Sequence, residues 1–481
     1  MRGRAYFVCW VGMAFASMMV FAESVQITRD VFDIRGVHLG PGALRVGRVS
    51  PTSASQACLH CDVCVVGGGS GGIGAAVAAA RAGANVILIE REPQLGGTST
   101  QGYVSIWSRG PGCAISQEIH TRLAIYTNGL ICTEYNKTLS RRTGYNVPFN
   151  PELFCKVVTE MLRETGHCRI LLKTSFVAAT VDPLEKRVIS VRAVSDDGID
   201  YKINARVYID CTGDGLVCQA SGCETMLGAE PKSRFGEPSA PQEPKKVLNA
   251  LELIYRVRKS PAPTLQPLPE GVKPRWQTGK VSCCADKIPG STVTTINPCG
   301  LMAGWKLIEL GYDATLAEAK RQALAHWHVL QHQRANDEFD SFAPMLALRE
   351  TYRIVGEYVL TENDVKTPFA LSPHQDLIAY ADHPMDTHGS GGGLMPAAAP
   401  YGVPYRCLVP KGGLKNLLIA CRGASFSHLA ASSCRLQRTM VQLGHAAGLA
   451  AAQCVSNHCA VGEVHVDAIQ KQLSLPSFGA R

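Results

Sequence analysis

Hydrophobic and small residues change rhythm repeatedly between residues 61 and 90. "CDVCVVG" is a nearly continuous apolar, β-branched run, which predicts a buried strand. "IGAAVAAARAGA" is alanine-rich and predicts a helix, and "NVILIE" returns to a strand pattern. The stretch therefore predicts strand, tight turn, helix, strand. Further along, "RILLKTSFVAATV" (169–181), "RVISVRAV" (187–194) and "INARVYIDCTGDG" (203–215) predict strands, with a hairpin break at Asp182 and Pro183. A last strand at 417–421 leads into an alanine-rich helix at about 435–455. Its Gly444, Ala447, Gly448 and Ala451 allow close packing against a sheet or cofactor. "LAEAKRQALAHWHVLQHQRANDEF" has helical periodicity, whereas "GEPSAPQEPKK" and "KSPAPTLQPLPEGVKPRW" are proline-rich and predict loops.

The turn after the first strand gives up side chains in "VVGGGSGGIGAA", where Gly67, Gly69 and Gly72 make a G-x-G-x-x-G spacing. The first glycine permits the turn, the second lets the backbone approach a pyrophosphate, and the third lets helix and strand pack closely. The helix N-terminus then offers unpaired amides and the positive end of its dipole to the phosphates. Glu90 ends the second strand, where a carboxylate accepts the hydroxyls of an adenosine ribose. Arg91 opens the next stretch, "REPQLGGTSTQGYVS", in which Gly96 and Gly97 again remove side chains and Thr98, Ser99 and Thr100 offer hydroxyls and amides.

These blocks, with "TGDG" at 212–215, "NLLIACRGASFSHLAASSCRLQRTMVQLGHAAGLAAAQCV" near the C-terminus, "LRETYRIVGEYVLTENDV" and "VPYRCLVP", carry a resemblance. The chain resembles the FAD-dependent oxidoreductase family and, more distantly, the succinate dehydrogenase and fumarate reductase flavoproteins. The resemblance runs from Cys61 to about Val455. It implies bound FAD, held by Gly67, Gly69, Gly72, Glu90, Arg91, Gly97, Thr98, Ser99, Gly213, Asp214, Arg422 and Gly444. Two positions depart from the pattern: Cys421 stands where glycine is expected and His445 where glutamine is expected. Within the sequence, the nucleotide fold is interrupted by long insertions and resumes at the C-terminus, which suits an extended cofactor crossing towards a second domain. No second G-x-G-x-x-G follows, since "GSGGGLMP" fails at its third glycine, which argues against a separate NADPH domain.

The expected fold is α/β, a Rossmann-like FAD-binding domain of the glutathione-reductase type interrupted by a substrate or cap domain. The expected division is a signal peptide (1–22), an N-terminal segment (23–60), and the first FAD-binding part (61–125). A helical insertion (126–165), the second FAD-binding part (166–224), the substrate domain (225–404), the third FAD-binding part (405–460) and a tail (461–481) follow.

Composition supports a globular chain, with 18% charged and 46% hydrophobic residues. The net charge of +8, from 48 Lys and Arg against 40 Asp and Glu, is spread without a basic run. It suits an anionic cofactor or substrate and gives no support for nucleic acid as a partner. Arg2, Arg4, an apolar stretch over 5–22 and the small residues Val20 and Ala22 form a secretory signal cleaved after Ala22, placing the protein outside the cell or in a periplasm. Left uncleaved, that stretch is about the ~18 residues of a membrane anchor, and no other membrane association is expected. Export would favour disulfides among the 19 cysteines, yet Cys64, Cys211 and Cys421 fall in strand-like runs where buried thiols are common. "CLHCDVC" lacks a second half-site, so no metal is expected. Its Cys58 and Cys61 precede the first strand, about 20 Å from the carboxyl ends of the strands where the cofactor binds.

The substrate side is less explicit. His328 and His332 share a helical face, with His326 nearby, and are expected to be solvated rather than ligands. A flavin site needs a proton donor or acceptor near N5 and a cation to hold reduced-flavin charge. By position the candidates are Arg406, Arg422, His428 and Arg435. His428 is the expected acid/base, with a capping or loop histidine as the alternative. Arg435 is expected to hold an anionic group, the alternative being an ion pair with Glu350. Arg349 and Arg353, four apart, either clamp a carboxylate or make structural ion pairs, and His383 and His388 flank "PMD" on a loop over the site. The expected activity is an exported FAD-dependent oxidoreductase passing a hydride from a small organic substrate, anionic or carbohydrate, to flavin N5, with an unidentified electron acceptor. The alternatives are a flavin-assisted lyase or hydrolase acting on carbohydrate, and a non-catalytic FAD-binding protein.

Overall fold

The computed structural model describes residues 31–33, 37–39, 56–107, 113–126, 147–273, 283–388, 394–395 and 400–473. The expected signal at 1–22, part of the helical insertion, most of "GSGGGLMP" and the last residues of the tail lie outside the described residues. The apolar run at the start of the nucleotide fold becomes strand β1 (Gln56–Val66), whose last four residues are buried. Helix α1 (Ser70–Arg81) follows, with residues 71–80 buried, and then β2 (Val86–Ile89), buried throughout. Helix α2 (Ala114–Ile125) and helix α3 (Pro151–Glu164) come next. The start of α3 is set by Asn150, whose side chain accepts from the amides of Glu152 and Leu153, and by Pro151 in the first turn.

Residues 169–181 do not form the single strand expected of them. Lys173 takes a left-handed φ of +50° and divides them into β3 (Cys168–Leu171) and β4 (Thr174–Asp182). Strands β5 (Arg187–Ser195) and β6 (Asp200–Asp210) complete a meander with β4.

The chain then leaves this sheet. Strands β7 (Tyr255–Lys259), β8 (Cys284–Lys287), β9 (Val293–Asn297) and β10 (Asp337–Phe342) form an antiparallel sheet in the order β8-β9-β7-β10. Helix α4 (Tyr312–Leu330) supplies Ala319, Ala323 and Trp327 to a second core that draws on residues 251–348. His326 belongs to this layer, its Nδ1 2.7 Å from the Tyr255 hydroxyl, so it is a core histidine rather than a solvated one. "LRETYR" is not helical: Arg353–Ile354 pairs with Thr225–Met226 in a short antiparallel ladder, and Arg349 and Arg353 diverge.

Strand β11 (Leu417–Ile419) and helix α5 (Gln437–Asn457) return to the first sheet. The order of its parallel part is β3-β2-β1-β6-β11. β6 is the pivot: along one edge it pairs with β1, and along the other first with β5 and then, over residues 208–210, with β11. The helices α1 and α5 lie almost backbone to backbone. A Cβ on Gly444 would sit 1.9 Å from Gly71 O, and one on Gly448 would sit 2.3 Å from Ala75 O. The small residues at this crossing therefore exist to bring α5 onto α1, and α1 onto the sheet. Cys58 and Cys61 lie on β1 itself rather than before it, and Cys64, Cys211 and Cys421 are buried.

Candidate functional site

The phosphate-type turn has the geometry its spacing implies. Gly67 has φ +103°, and a Cβ there would meet Cys211 O at 2.3 Å. A Cβ on Gly72 would meet Gly67 O at 1.8 Å, so this glycine packs the turn against its own helix. Gly69 is different: a Cβ there would meet nothing within 4 Å, because the residue faces a cavity. Gly69 is also the N-cap of α1, and no side chain caps the helix, which leaves its first amides directed towards that cavity.

Glu90 stands at the end of β2 with one carboxylate oxygen accepting Gly68 N at 2.6 Å and the other accepting Glu92 N at 2.8 Å. Burial pushes its pKa up, against those amides and the charge of Arg91. The neighbouring Gly97–Ser99 turn is tight, with Gly96 at φ +113° and Gly97 at +53°. Ser99 is buried, and its Oγ has no partner among the described residues. In the "TGDG" turn, Gly213 has φ +87°, and Asp214 Oδ1 accepts from Thr351 Oγ1 and Arg422 Nη2, each at 2.6 Å. This ion pair ties the turn after β6 to the turn after β11. Asp214 Oδ2 is buried without a partner among the described residues. Open space over Gly69 and uncapped helix amides facing it fit a cofactor carrying phosphates.

One cavity of about 380 Å³ connects these groups. The nucleotide sheet contributes Gly67, Gly69, Glu90, Arg91, Gly97, Thr98, Gly213 and Arg422. Four other residues expected at the cofactor stand behind that wall: Gly72 and Gly444 as packing glycines, Ser99 and Asp214 as buried supports. The second layer and the loops after it contribute Glu252, Cys284, Cys299, Arg349, His388 and Arg435.

Two expected catalytic residues are elsewhere. His428 does not line the cavity. It starts a helical turn, His428–Ala431, with Nδ1 2.9 Å from Glu350 Oε2, and its backbone N–H donates to Glu230 Oε2 at 2.9 Å. Glu230 and Glu350 also flank the fully buried Arg353, so His428 is one member of a buried ion network. The turn ends before Ser432, and α5 begins only at Gln437, so His428 and Arg435 do not share one helix face. Arg406 is likewise corrected. In the short turn Tyr405–Cys407 its two neighbours point into the core, which turns Arg406 outward onto Asp376, with Nε at 2.9 Å, and over the ring of Tyr358.

Arg435 does line the cavity. Its Nε donates to Ser432 O at 3.1 Å and its Nη2 reaches Asp386 O at 3.5 Å. It does not pair with Glu350, which is taken by His428 and Arg353. Burial, and then the nearby charge of Arg349, lower its pKa. Arg349 donates to Ala250 O at 2.7 Å and lies 3.0 Å from Glu252 Oε1. His388 completes this wall in a left-handed conformation, φ +46°, with Nε2 3.0 Å from Asp386 Oδ2. Burial, followed by Arg349, Arg435 and His383, pushes its pKa down to about 2, so the imidazole is neutral. Glu252, Cys284 and Cys299 are cavity residues that the sequence patterns did not single out. The available signal was the symmetry of "CCADKIPGSTVTTINPC", whose central Pro-Gly-Ser is a hairpin turn that folds its cysteines towards each other. Among the described residues no group of three His, Cys, Asp or Glu is placed to hold a metal ion.

A family model described as FAD dependent oxidoreductase matches residues 62–473. Soluble pyridine nucleotide transhydrogenase from Vibrio parahaemolyticus is 34% identical over 157 residues, 32% of this chain, and the match spans only 30% of that relative. Among solved structures, a geranylgeranyl bacteriochlorophyll reductase-like protein from Thermoplasma acidophilum is similar with a TM-score of 0.43 at 11% identity, covering 88% of this chain and 93% of its own. CabE, an aromatic hydroxylase from angucycline biosynthesis, is similar with a TM-score of 0.44 at 16% identity, covering 86% of this chain and 66% of its own.

Proposed function

The chain belongs to the FAD-dependent oxidoreductase family, and from that premise we propose that it oxidises a small organic substrate carrying a carboxylate or similar anion. One observation carries this reading: Arg435 is part-buried on the cavity wall, its hydrogen bonds go to backbone carbonyls, and the guanidinium of Arg349, paired with Glu252, lines the same cavity. A desolvated guanidinium is costly unless an anion meets it, and its planar fork matches a carboxylate. FAD, when bound, supplies the two-electron acceptor. The turn at Gly67–Gly72 and the first amides of α1 would hold its pyrophosphate, and Glu90 its ribose. On the other wall, Arg435 and Arg349 would hold the anionic end of the substrate and so orient its oxidisable carbon towards the cofactor. His388, its ring held by Asp386 and its pKa pushed well down, stays neutral on this wall and leaves the positive charge there to the two arginines.

The test is titration of the purified flavoprotein with simple carboxylates, read as a shift in the flavin absorption bands. Arg435→Met is expected to weaken carboxylate binding by about 10- to 100-fold, the loss of a charge-assisted hydrogen bond of about 1.5–3 kcal/mol. Its flavin content should be unchanged. Equal binding of carboxylates and their neutral amides by the wild type, or unaltered binding by Arg435→Met, contradicts the reading.

A further inference from the structure

The hairpin β8–β9 places two thiols on the cavity wall. Cys284 opens β8 opposite Asn297, the last residue of β9. Asn297 Oδ1 accepts the amide of Cys299 at 3.1 Å, which turns the chain back and leaves Cys299 Sγ 3.4 Å from Cys284 Sγ. Glu252 holds the far side of this turn by accepting the amides of Gly300 and Leu301, the latter at 3.0 Å. An S–S bond is about 2.05 Å long, so the two sulfurs already touch and need only a short approach to join. Both thiols line the cavity that also contains the phosphate-type turn, and Cys284 is exposed. The hydrogen bond from Cys299, aided by Arg349 and opposed by burial, Asp286 and Glu252, lowers Cys284 to about 7, while Cys299 keeps its proton. A part-ionised thiol beside a protonated partner is the arrangement that forms and opens disulfides readily. By contrast, burial raises the thiols of Cys64, Cys211 and Cys407 far above their usual range, and none of these combines low pKa with a facing thiol.

We propose that Cys284 and Cys299 are a second redox centre that takes electrons from reduced FAD and hands them to an external disulfide. The proposal rests on the flavoenzyme reading and adds the class of electron acceptor to it. In the first step the Cys284–Cys299 S–S bond breaks, two electrons and two protons pass from reduced FAD, and two thiols and oxidised FAD result. In the second step the Cys284 thiolate attacks the external disulfide and displaces one of its thiols. Cys299 then resolves the mixed disulfide, re-forming the Cys284–Cys299 bond and releasing the second thiol.

The proposal is tested by anaerobic dithionite titration of the oxidised holoenzyme, followed by peptide mapping. Wild type should take up four electrons per flavin and Cys299→Ser only two, with equal flavin content. Cys58→Ser, at an exposed cysteine outside the cavity, should still take up four. Mapping should find a Cys284–Cys299 bond before reduction and free thiols after it. Two electrons per flavin in the wild type, or a disulfide that joins Cys283 instead, overturns the proposal while leaving carboxylate binding by Arg435 intact. Absence of flavin from the purified protein overturns both.

Discussion

Glu350 shows how a buried charge is assigned to one partner rather than another. Its carboxylate lies 3.2 Å from Arg353 and 2.9 Å from His428, and also accepts the amide and side chain of Asn249. Burial alone would raise its pKa, but His428 and Arg353 outweigh it and the net shift is below the ordinary 4.5. A carboxylate with a lowered folded value contributes stability above pH 4.5 and loses it as pH falls through the folded value. Glu350→Gln should therefore cost about 1–3 kcal/mol at pH 7, because it weakens the charge-assisted bonds to His428 and Arg353 while Glu230 still pairs with Arg353. Urea unfolding measures this, and the gap to wild type should shrink below pH 4.5; an unchanged midpoint at pH 7 contradicts the role. At this scale the sequence was only partly legible. Arg435 and Gly69 could be placed at a cavity because their segments carry strong patterns. Whether Arg406 turns inward or outward depended on Tyr405 and Cys407 filling the core on either side of it, and whether Glu350 meets Arg435 or Arg353 depended on burial, and neither is written in spacing.

The crossing of α1 and α5 is where an element serves the site. The two helices touch through Gly71, Gly74, Gly444 and Gly448, each of which would bring a Cβ within about 2.5 Å of a carbonyl oxygen of the chain. Gly444→Val must push α5 away from α1, and with it the amides that face the cavity. The expected cost is about 1–3 kcal/mol of stability, as for other overpacked sites. It should be accompanied by a lower flavin-to-protein ratio in the purified protein. A variant with wild-type melting temperature and full flavin would show that the crossing does not position the turn. Gly444 was expected to touch the cofactor; its actual role is one contact further back, a distinction periodicity cannot make. Strand ends were also blurred, as at Lys173, where one left-handed residue divides an unbroken apolar run. The strands of the second layer left little trace, since β8 is exposed over most of its length and has no apolar rhythm to read.

At the scale of the molecule, one cavity joins a parallel nucleotide-binding sheet to an antiparallel layer with its own core. The first wall was legible because phosphate binding demands glycines at fixed intervals. The second was legible only in part: Arg349, His388 and Arg435 stood among the sequence candidates, whereas Glu252, Cys284 and Cys299 went unmarked because single residues from different loops carry no spacing to read. The proposed division of labour is simple: the sheet holds FAD, and Arg435 and Arg349 on the facing wall orient what FAD oxidises. The direct test is to mix the purified flavoprotein anaerobically with paired substrates, each a hydroxy or amino acid and its neutral ester or amide. The account predicts that flavin absorbance bleaches with an acidic member of a pair and at least 10-fold more slowly with its neutral counterpart, as expected for a lost interaction of about 1.4 kcal/mol or more. Bleaching by neutral substrates at equal rates, or a purified protein with no flavin that gains none on addition of FAD, would contradict it.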